Sequence, residues 1–272
     1  MSNWFAGDIL ANGIKTHYHR TGGEKPPLVL AHGFSDNGLC WTRLARALED
    51  DYDLIMPDAR GHGLSERVEA GESVDLAADL AGLIEALGLE KPGVVGHSMG
   101  AAAAASLAAR YPDLVGCAVL EDPPWLEEGS FQLHEGEKRH VDLRQSREAL
   151  QSKTHEEVVA ICRTERPTWD EVEFDPWARS RLQLDLTVFE ASLLEFADWQ
   201  PIVPEIACPV LLITADPDLG SIVTAETAER VARMLPNGQV VHISGAGHNI
   251  RREQFEAYVE AVTQFLRENS RG

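Results

Sequence analysis

Basic residues are scarce: 24 Lys and Arg stand against 44 Asp and Glu in 272 residues, a formal net charge of −20 at pH 7. That deficit argues against a phosphate-tracking surface, so neither nucleic acid nor an anionic membrane is an expected partner. Cysteine is sparse as well. Cys40, Cys117, Cys162 and Cys208 lie far apart with no Cys-x-x-Cys pair, which points to neither a zinc site nor a disulfide framework. Residues 1–13 lack a basic start followed by an apolar core, so no signal peptide and a reducing, cytoplasmic setting are expected. There is no internal repeat, low-complexity tract or linker. Hydrophobic residues make up 44% of the chain, enough for a full core in one large α/β domain or two small ones.

What is present centres on Val94-Val95-Gly96-His97-Ser98-Met99-Gly100-Ala101. An apolar run, a Gly-x-Ser-x-Gly turn and a small-residue helix place Ser98 on a sharp strand-to-helix bend with its hydroxyl exposed above a sheet. A Cβ at position 96 or 100 would meet neighbouring backbone, and the tight turn holds its central residue at unfavourable φ/ψ. The following helix brings its N-terminal amides to the place where an oxyanion would form.

The flanking chain alternates strands and helices. Two short strands surround the Asn12-Gly13 turn, and Leu28–Ala31 runs into His32-Gly33-Phe34. A helix near residues 41–49 precedes the strand 53–56, which ends in the glycine-rich loop from Asp58 to Ser65. Ser73 is placed to cap a helix bearing Leu76, Leu80, Leu83, Ile84 and Leu87, with Gly88 as its stop. After the nucleophile strand and helix, Val115 to Leu120 is another buried strand, running into Glu121-Asp122-Pro123-Pro124. This rhythm predicts a mostly parallel sheet covered on both faces.

Residues 125–200 break the rhythm. They show no convincing strand, carry Trp125, Trp169, Trp177 and Trp199, and have helical spacing at Leu182, Leu186, Phe189 and Leu193. They are expected to form a helical cap over Ser98. The sheet resumes with Val210–Thr214 and 239–243, with helices over 224–235 and from Phe255 onward.

A serine hydroxyl needs a base within hydrogen-bond reach and an acid to orient that base. Among ten histidines, His248 follows a strand end in the loop Gly245-Ala246-Gly247-His248 and follows the serine in chain order. His17 and His19 alternate on an early strand, while His134, His140 and His155 fall in the cap and are expected to be solvated.

Through His32-Gly33-Phe34, Asp58-Ala59-Arg60-Gly61-His62-Gly63-Leu64-Ser65, Gly96-His97-Ser98-Met99-Gly100 and Gly247-His248, the chain resembles an α/β-hydrolase-fold serine hydrolase of the esterase, lactonase and haloperoxidase-like kind. The resemblance covers nearly the whole length. It implies an α/β fold with a mostly parallel eight-stranded sheet, helices on both faces and an inserted cap, the core formed by residues 1–124 and 201–272 and the cap by 125–200. It implies that Phe34 and Met99 donate backbone N–H groups to the oxyanion, and that no cofactor or metal takes part. The Asp58-to-Ser65 loop resembles a structural motif of the family and is assigned no chemistry.

The triad acid is usually found two or three residues beyond a strand corresponding to Val210–Thr214, where this chain has Ala215-Asp216-Pro217-Asp218. Asp218 is therefore first choice, Asp216 an alternative, and Asp122, after the preceding strand, another. Relatives that open epoxides or remove halogen carry aspartate at the elbow, whereas serine here points to acyl transfer. The expectation is an esterase or lactonase acting on a small-molecule ester or lactone, with Trp125 and the cap tryptophans walling the substrate pocket. A carbon–carbon bond hydrolase or a cofactor-free perhydrolase would use the same triad, and the fold also serves as a small-molecule receptor. Oligomeric state is not encoded in any recognisable pattern.

Overall fold

A computed structural model describes residues 4–126, 133–193 and 198–269, with the side chains of 133–141 outside that description. The expected solvation of His134 and His140 therefore lies outside the described residues.

The chain begins with a hairpin of β1 (Phe5–Ala11) and β2 (Ile14–Arg20), closed by Asn12 and Gly13 at positive φ of 48° and 78°. Two consecutive left-handed residues match the strand twist, the usual geometry of an Asn-Gly turn. Then follow β3 (Pro27–Ala31), α1 (Thr42–Leu48), β4 (Asp53–Pro57), β5 (Ser73–Val74), α2 (Leu76–Ala86), β6 (Gly93–His97), α3 (Met99–Arg110) and β7 (Cys117–Glu121). The helical segment contains α4 (Leu133–Gln151), α5 (His155–Glu165) and α6 (Phe174–Gln183), followed by β8 (Ser192–Leu193). The chain ends with β9 (Val210–Thr214), α7 (Ala225–Met234), β10 (Gly238–His242), α8 (Ile250–Glu253) and α9 (Phe255–Asn269).

Eight strands form one sheet in the order β1-β2-β4-β3-β6-β7-β9-β10. Only the pairings β1 with β2 and β2 with β4 are antiparallel. The fold is thus an α/β-hydrolase fold with a mostly parallel eight-stranded sheet. Period-two alternation divides the strand residues between its faces: Val29, Ile55, Val94 and Leu212 join the core under α2 and α3, while Leu28, Leu54, Val95 and Leu211 pack under α1 and α9. Five consecutive alanines, Ala101–Ala105, are buried in α3, and their small size lets that helix approach the sheet closely. The helical segment has its own small core of Leu150, Val158, Cys162, Trp169, Phe174, Trp177 and Ala178.

Three local expectations are corrected. Ser73 does not cap α2; it is extended in β5, and Asp75 caps by accepting from the Ala78 N–H at 2.9 Å. Residues 125–200 do contain a strand, because Ser192–Leu193 pairs in parallel with Ser73–Val74 and ties the segment to the sheet domain. The helical spacing at Leu182 to Leu193 is not one helix. The turn ends at Gln183, Asp185 caps a single 3-10 turn over Leu186–Phe189, and Leu193 lies in β8. Among the described residues, no helix is long and apolar enough to cross a membrane.

Candidate active site

Ser98 sits between β6 and α3 with φ 51° and ψ −116°, a conformation that non-glycine residues rarely hold. The bend survives because its neighbours have no side chains. A Cβ on Gly96 would run into the Gly100 carbonyl, one on Gly100 into the Ala31 carbonyl, and one on Gly33 would come within 2.6 Å of His97 Nδ1. Ser98 opens α3 without capping it, which leaves its hydroxyl free of that duty and puts Met99 N–H at the positive helix end.

His248 lies beyond β10, and Ser98 and His248 line one cavity of about 850 Å³, together with Phe34, Arg147, Trp169 and Trp177. Three contacts hold His248, two on its ring and one on its backbone. His248 Nδ1–H donates to Asp122 Oδ2 at 2.6 Å, His97 Nε2–H donates to the His248 carbonyl at 2.9 Å, and the two imidazoles lie with centroids 4.7 Å apart. With Nδ1–H committed to a carboxylate, Nε2 is left as the basic nitrogen.

This geometry corrects the choice of Asp218. That residue lies in a solvent-exposed 3-10 turn at Pro217–Leu219 and is not the His248 partner. Asp216 is also turned away: it accepts from His242 Nε2 at 2.9 Å and from Gly245 N–H at 2.7 Å, bracing the loop that leads to His248. Asp122, at the end of β7, is fully buried and accepts from Ser221 Oγ, from Ile222 and Val223 N–H, and from His248. The loop after β9 therefore furnishes the donors that hold the carboxylate rather than the carboxylate itself. Like Ser98, Asp122 has a positive φ, 42°.

Trp125 is also corrected as a pocket residue. It is buried in the core under α3 and stacks on Trp199 at 5.5 Å, whereas Trp169 and Trp177 face the cavity. Phe34 lines the cavity, its ring packed edge-on against His62 at 5.6 Å and Phe189 at 5.1 Å.

Beneath the cavity lies a charge network that sequence reasoning missed. Asp36 Oδ atoms meet Arg181 at 3.0 Å, Arg251 at 3.2 Å and Arg252 at 3.1 Å. Arg251 also meets Glu121 at 3.3 Å, and Arg252 meets Glu173 at 3.0 Å. Burial alone would raise the Asp36 pKa, but the three guanidinium groups hold it well below the usual carboxylate range. Burial pushes Glu121 up, with Arg251 opposing. The network links the Phe34 loop, the segment after His248 and the helical segment, and no local motif announces it. His32, His62 and His97 are buried beside it, and burial lowers the pKa of each, that of His62 to about 3.

A family model of the alpha/beta hydrolase fold matches residues 26–251. The chain belongs to the alpha/beta hydrolase fold family. It is a hydrolase. Its relatives include N-formylmaleamate deformylase of Pseudomonas putida, 29% identical with 98% of each chain covered. Another is 2-hydroxy-6-oxononadienedioate/2-hydroxy-6-oxononatrienedioate hydrolase of Paraburkholderia phymatum, 27% identical over 93% of this chain and 91% of that one. Among solved structures of alpha/beta hydrolases, E-2-(acetamidomethylene)succinate hydrolase superposes with a TM-score of 0.79 at 24% identity, covering 97% of this chain and 100% of that chain.

Proposed function

We propose that this hydrolase cleaves an acyl bond of a small molecule through an acyl-enzyme on Ser98. The observation that carries the reading is the 2.6 Å bond from His248 to buried Asp122, at the wall of the cavity onto which Ser98 opens. His248 Nε2 takes the serine proton as the hydroxyl attacks the carbonyl carbon, then delivers it to the leaving group. Asp122 fixes the tautomer and stabilises the imidazolium. The Phe34 and Met99 N–H groups receive the oxyanion, each such donor being worth roughly 2.7–4 kcal/mol in the transition state. Water then enters, activated by the same imidazole, and releases the acid and the free serine.

The strained serine, the glycine-only neighbours and the pre-aimed helix amides support acyl transfer, but they do not choose the leaving atom. An ester or lactone is the simplest substrate for this triad. The relatives named N-formylmaleamate deformylase and 2-(acetamidomethylene)succinate hydrolase, 29% and 28% identical, favour a C–N bond, with a nitrogen leaving group that needs the His248 proton. The relative named for oxononadienedioate hydrolysis favours a C–C bond as a second reading on the same residues.

The test is a matched panel of N-acyl enamides, esters, lactones and vinylogous diketones, run on the parent enzyme and on Ser98→Ala. Turnover of one class that disappears in Ser98→Ala supports the reading and names the bond. Ser98→Ala retaining parental turnover overturns it.

A further inference from the structure

The arginines around the cavity are not equivalent. Arg181, Arg251 and Arg252 are matched by Asp36, Glu121 and Glu173, three cations against three carboxylates. On the rim, Arg166 is solvent-exposed and its guanidinium lies over the Trp169 ring at 5.6 Å. Arg147 on α4 has no carboxylate within ion-pair reach among the described residues; its polar contact is Nε–H to Ser35 Oγ at 3.2 Å. Burial, reinforced by the nearby Arg181 charge and opposed by the more distant Asp36 and Glu165, pushes its pKa down to about 10, still cationic at neutral pH. Next to it, Arg181 is 6% exposed, lines the same cavity, and keeps a buried Nε–H without an acceptor among the described residues.

A surplus cation in a half-buried wall is destabilising unless something anionic meets it. A protein surface of net charge −20 had carboxylates in abundance to place there. The wall instead sets the Arg147 guanidinium beside the cavity onto which Ser98 opens, opposite a hydroxyl that carries no charge before reaction, with the Asp36-paired Arg181 next to it. Guanidinium groups pair with carboxylates in short, charge-assisted and often bidentate hydrogen bonds, so the vacancy has the chemistry of a carboxylate.

We infer that Arg147, backed by Arg181, forms a carboxylate-binding subsite, so that the substrate of this hydrolase is an acyl compound bearing a second, free carboxylate. The inference rests on Ser98 being the nucleophile. It adds that Arg147 selects the substrate and anchors the end remote from the scissile bond. Trp169 and Trp177 flank the connecting carbons and exclude water from the pair.

The experiment uses the intact enzyme and two probes. Succinate is tested for protection of Ser98 against labelling by a fluorophosphonate, and monoethyl fumarate is compared with diethyl fumarate as substrate. In the parent, succinate slows labelling. In Arg147→Met, the half-protecting concentration rises by roughly tenfold or more, and the monoester-to-diester ratio of kcat/KM falls by a similar factor, through KM. Arg147→Lys gives intermediate values, and Arg179→Met, a surface guanidinium paired with Asp175, leaves the ratio as in the parent. Succinate that fails to slow labelling of the parent, or slows it equally in Arg147→Met, overturns the carboxylate subsite. A parent enzyme that the fluorophosphonate does not label overturns the nucleophile reading instead. Labelling itself reports that each variant is folded.

Discussion

Two regions around the cavity hold arginine in opposite ways. At the seam where the helical segment meets the sheet edge, Asp36, Glu121 and Glu173 meet Arg181, Arg251 and Arg252 in a fully buried lattice. One turn of space away, Arg147 lines the cavity with a serine hydroxyl as its partner. The seam balances its charge without substrate, three carboxylates against three guanidinium groups, and its members fix the Phe34 loop and the chain after His248. The cavity wall is incomplete without substrate, because a satisfied cation would have no free bond to offer. Ser35, Ser98 and Asp122, all near the cavity, hold positive φ, and the surrounding glycines and hydrogen bonds keep them there.

The largest effect that would break this picture lies at the elbow. Ser98→Ala is expected to lower kcat on the order of 10⁶-fold with unchanged circular dichroism. Asp122→Asn follows, lowering kcat by about 10⁴-fold through the wrong imidazole tautomer, while Asp218→Asn stays at the parental rate. Reversal of those two outcomes in a steady-state assay would restore the acid to the loop after β9.

Next in size, the seam and the wall should part company in stability. Asp36→Asn leaves three buried guanidinium groups short of charge and is expected to lose about 3–5 kcal/mol in urea unfolding. Acid should act on the same region through its histidines. His62 has a folded pKa of about 3 against an ordinary 6.5, so the unfolded chain binds the proton first and stability falls as pH drops below 6.5. That group alone accounts for about 2 kcal/mol at pH 5. His32 and His97, lowered by burial in the same way, add to the slope, and His62→Asn should flatten it in a pH series of urea midpoints. The smallest effect has the opposite sign: Arg147→Met, by removing a cation with no ion-pair partner among the described residues, should raise the urea unfolding free energy by about 1 kcal/mol or less while weakening succinate protection. A loss of stability equal to that of Asp36→Asn would erase the distinction between the two regions.

Much of the fold was legible because its signals are local. Asn12-Gly13 predicts its own hairpin, Leu28-Val29-Leu30 alternates between sheet faces, and Gly88 ends α2 at φ 62°. Where a prediction failed, a distant partner had overridden a local preference. Ser73 is a fair helix cap until β8 arrives to pair with it. Trp125 was a fair pocket wall until Trp199 offered a stacking face within the core.

The sequence by itself determined the strand-turn-helix elbow that presents Ser98, since Gly96 and Gly100 flank it and a Cβ at either position would run into backbone. It also singled out His248, through chain order and a glycine-rich loop at a strand end, as a residue that reaches the cavity of Ser98. Tertiary structure alone decided which carboxylate meets His248 and that, among the described residues, Arg147 has no carboxylate within ion-pair reach. In one dimension Asp218 ranks ahead of Asp216 and Asp122, but a single turn at Pro217 sends the first two outward while the Ser221–Val223 donors fold back over Asp122, about a hundred residues earlier. Charge balance of that kind is a sum over groups brought together from the whole chain, so it exists only once the chain has folded.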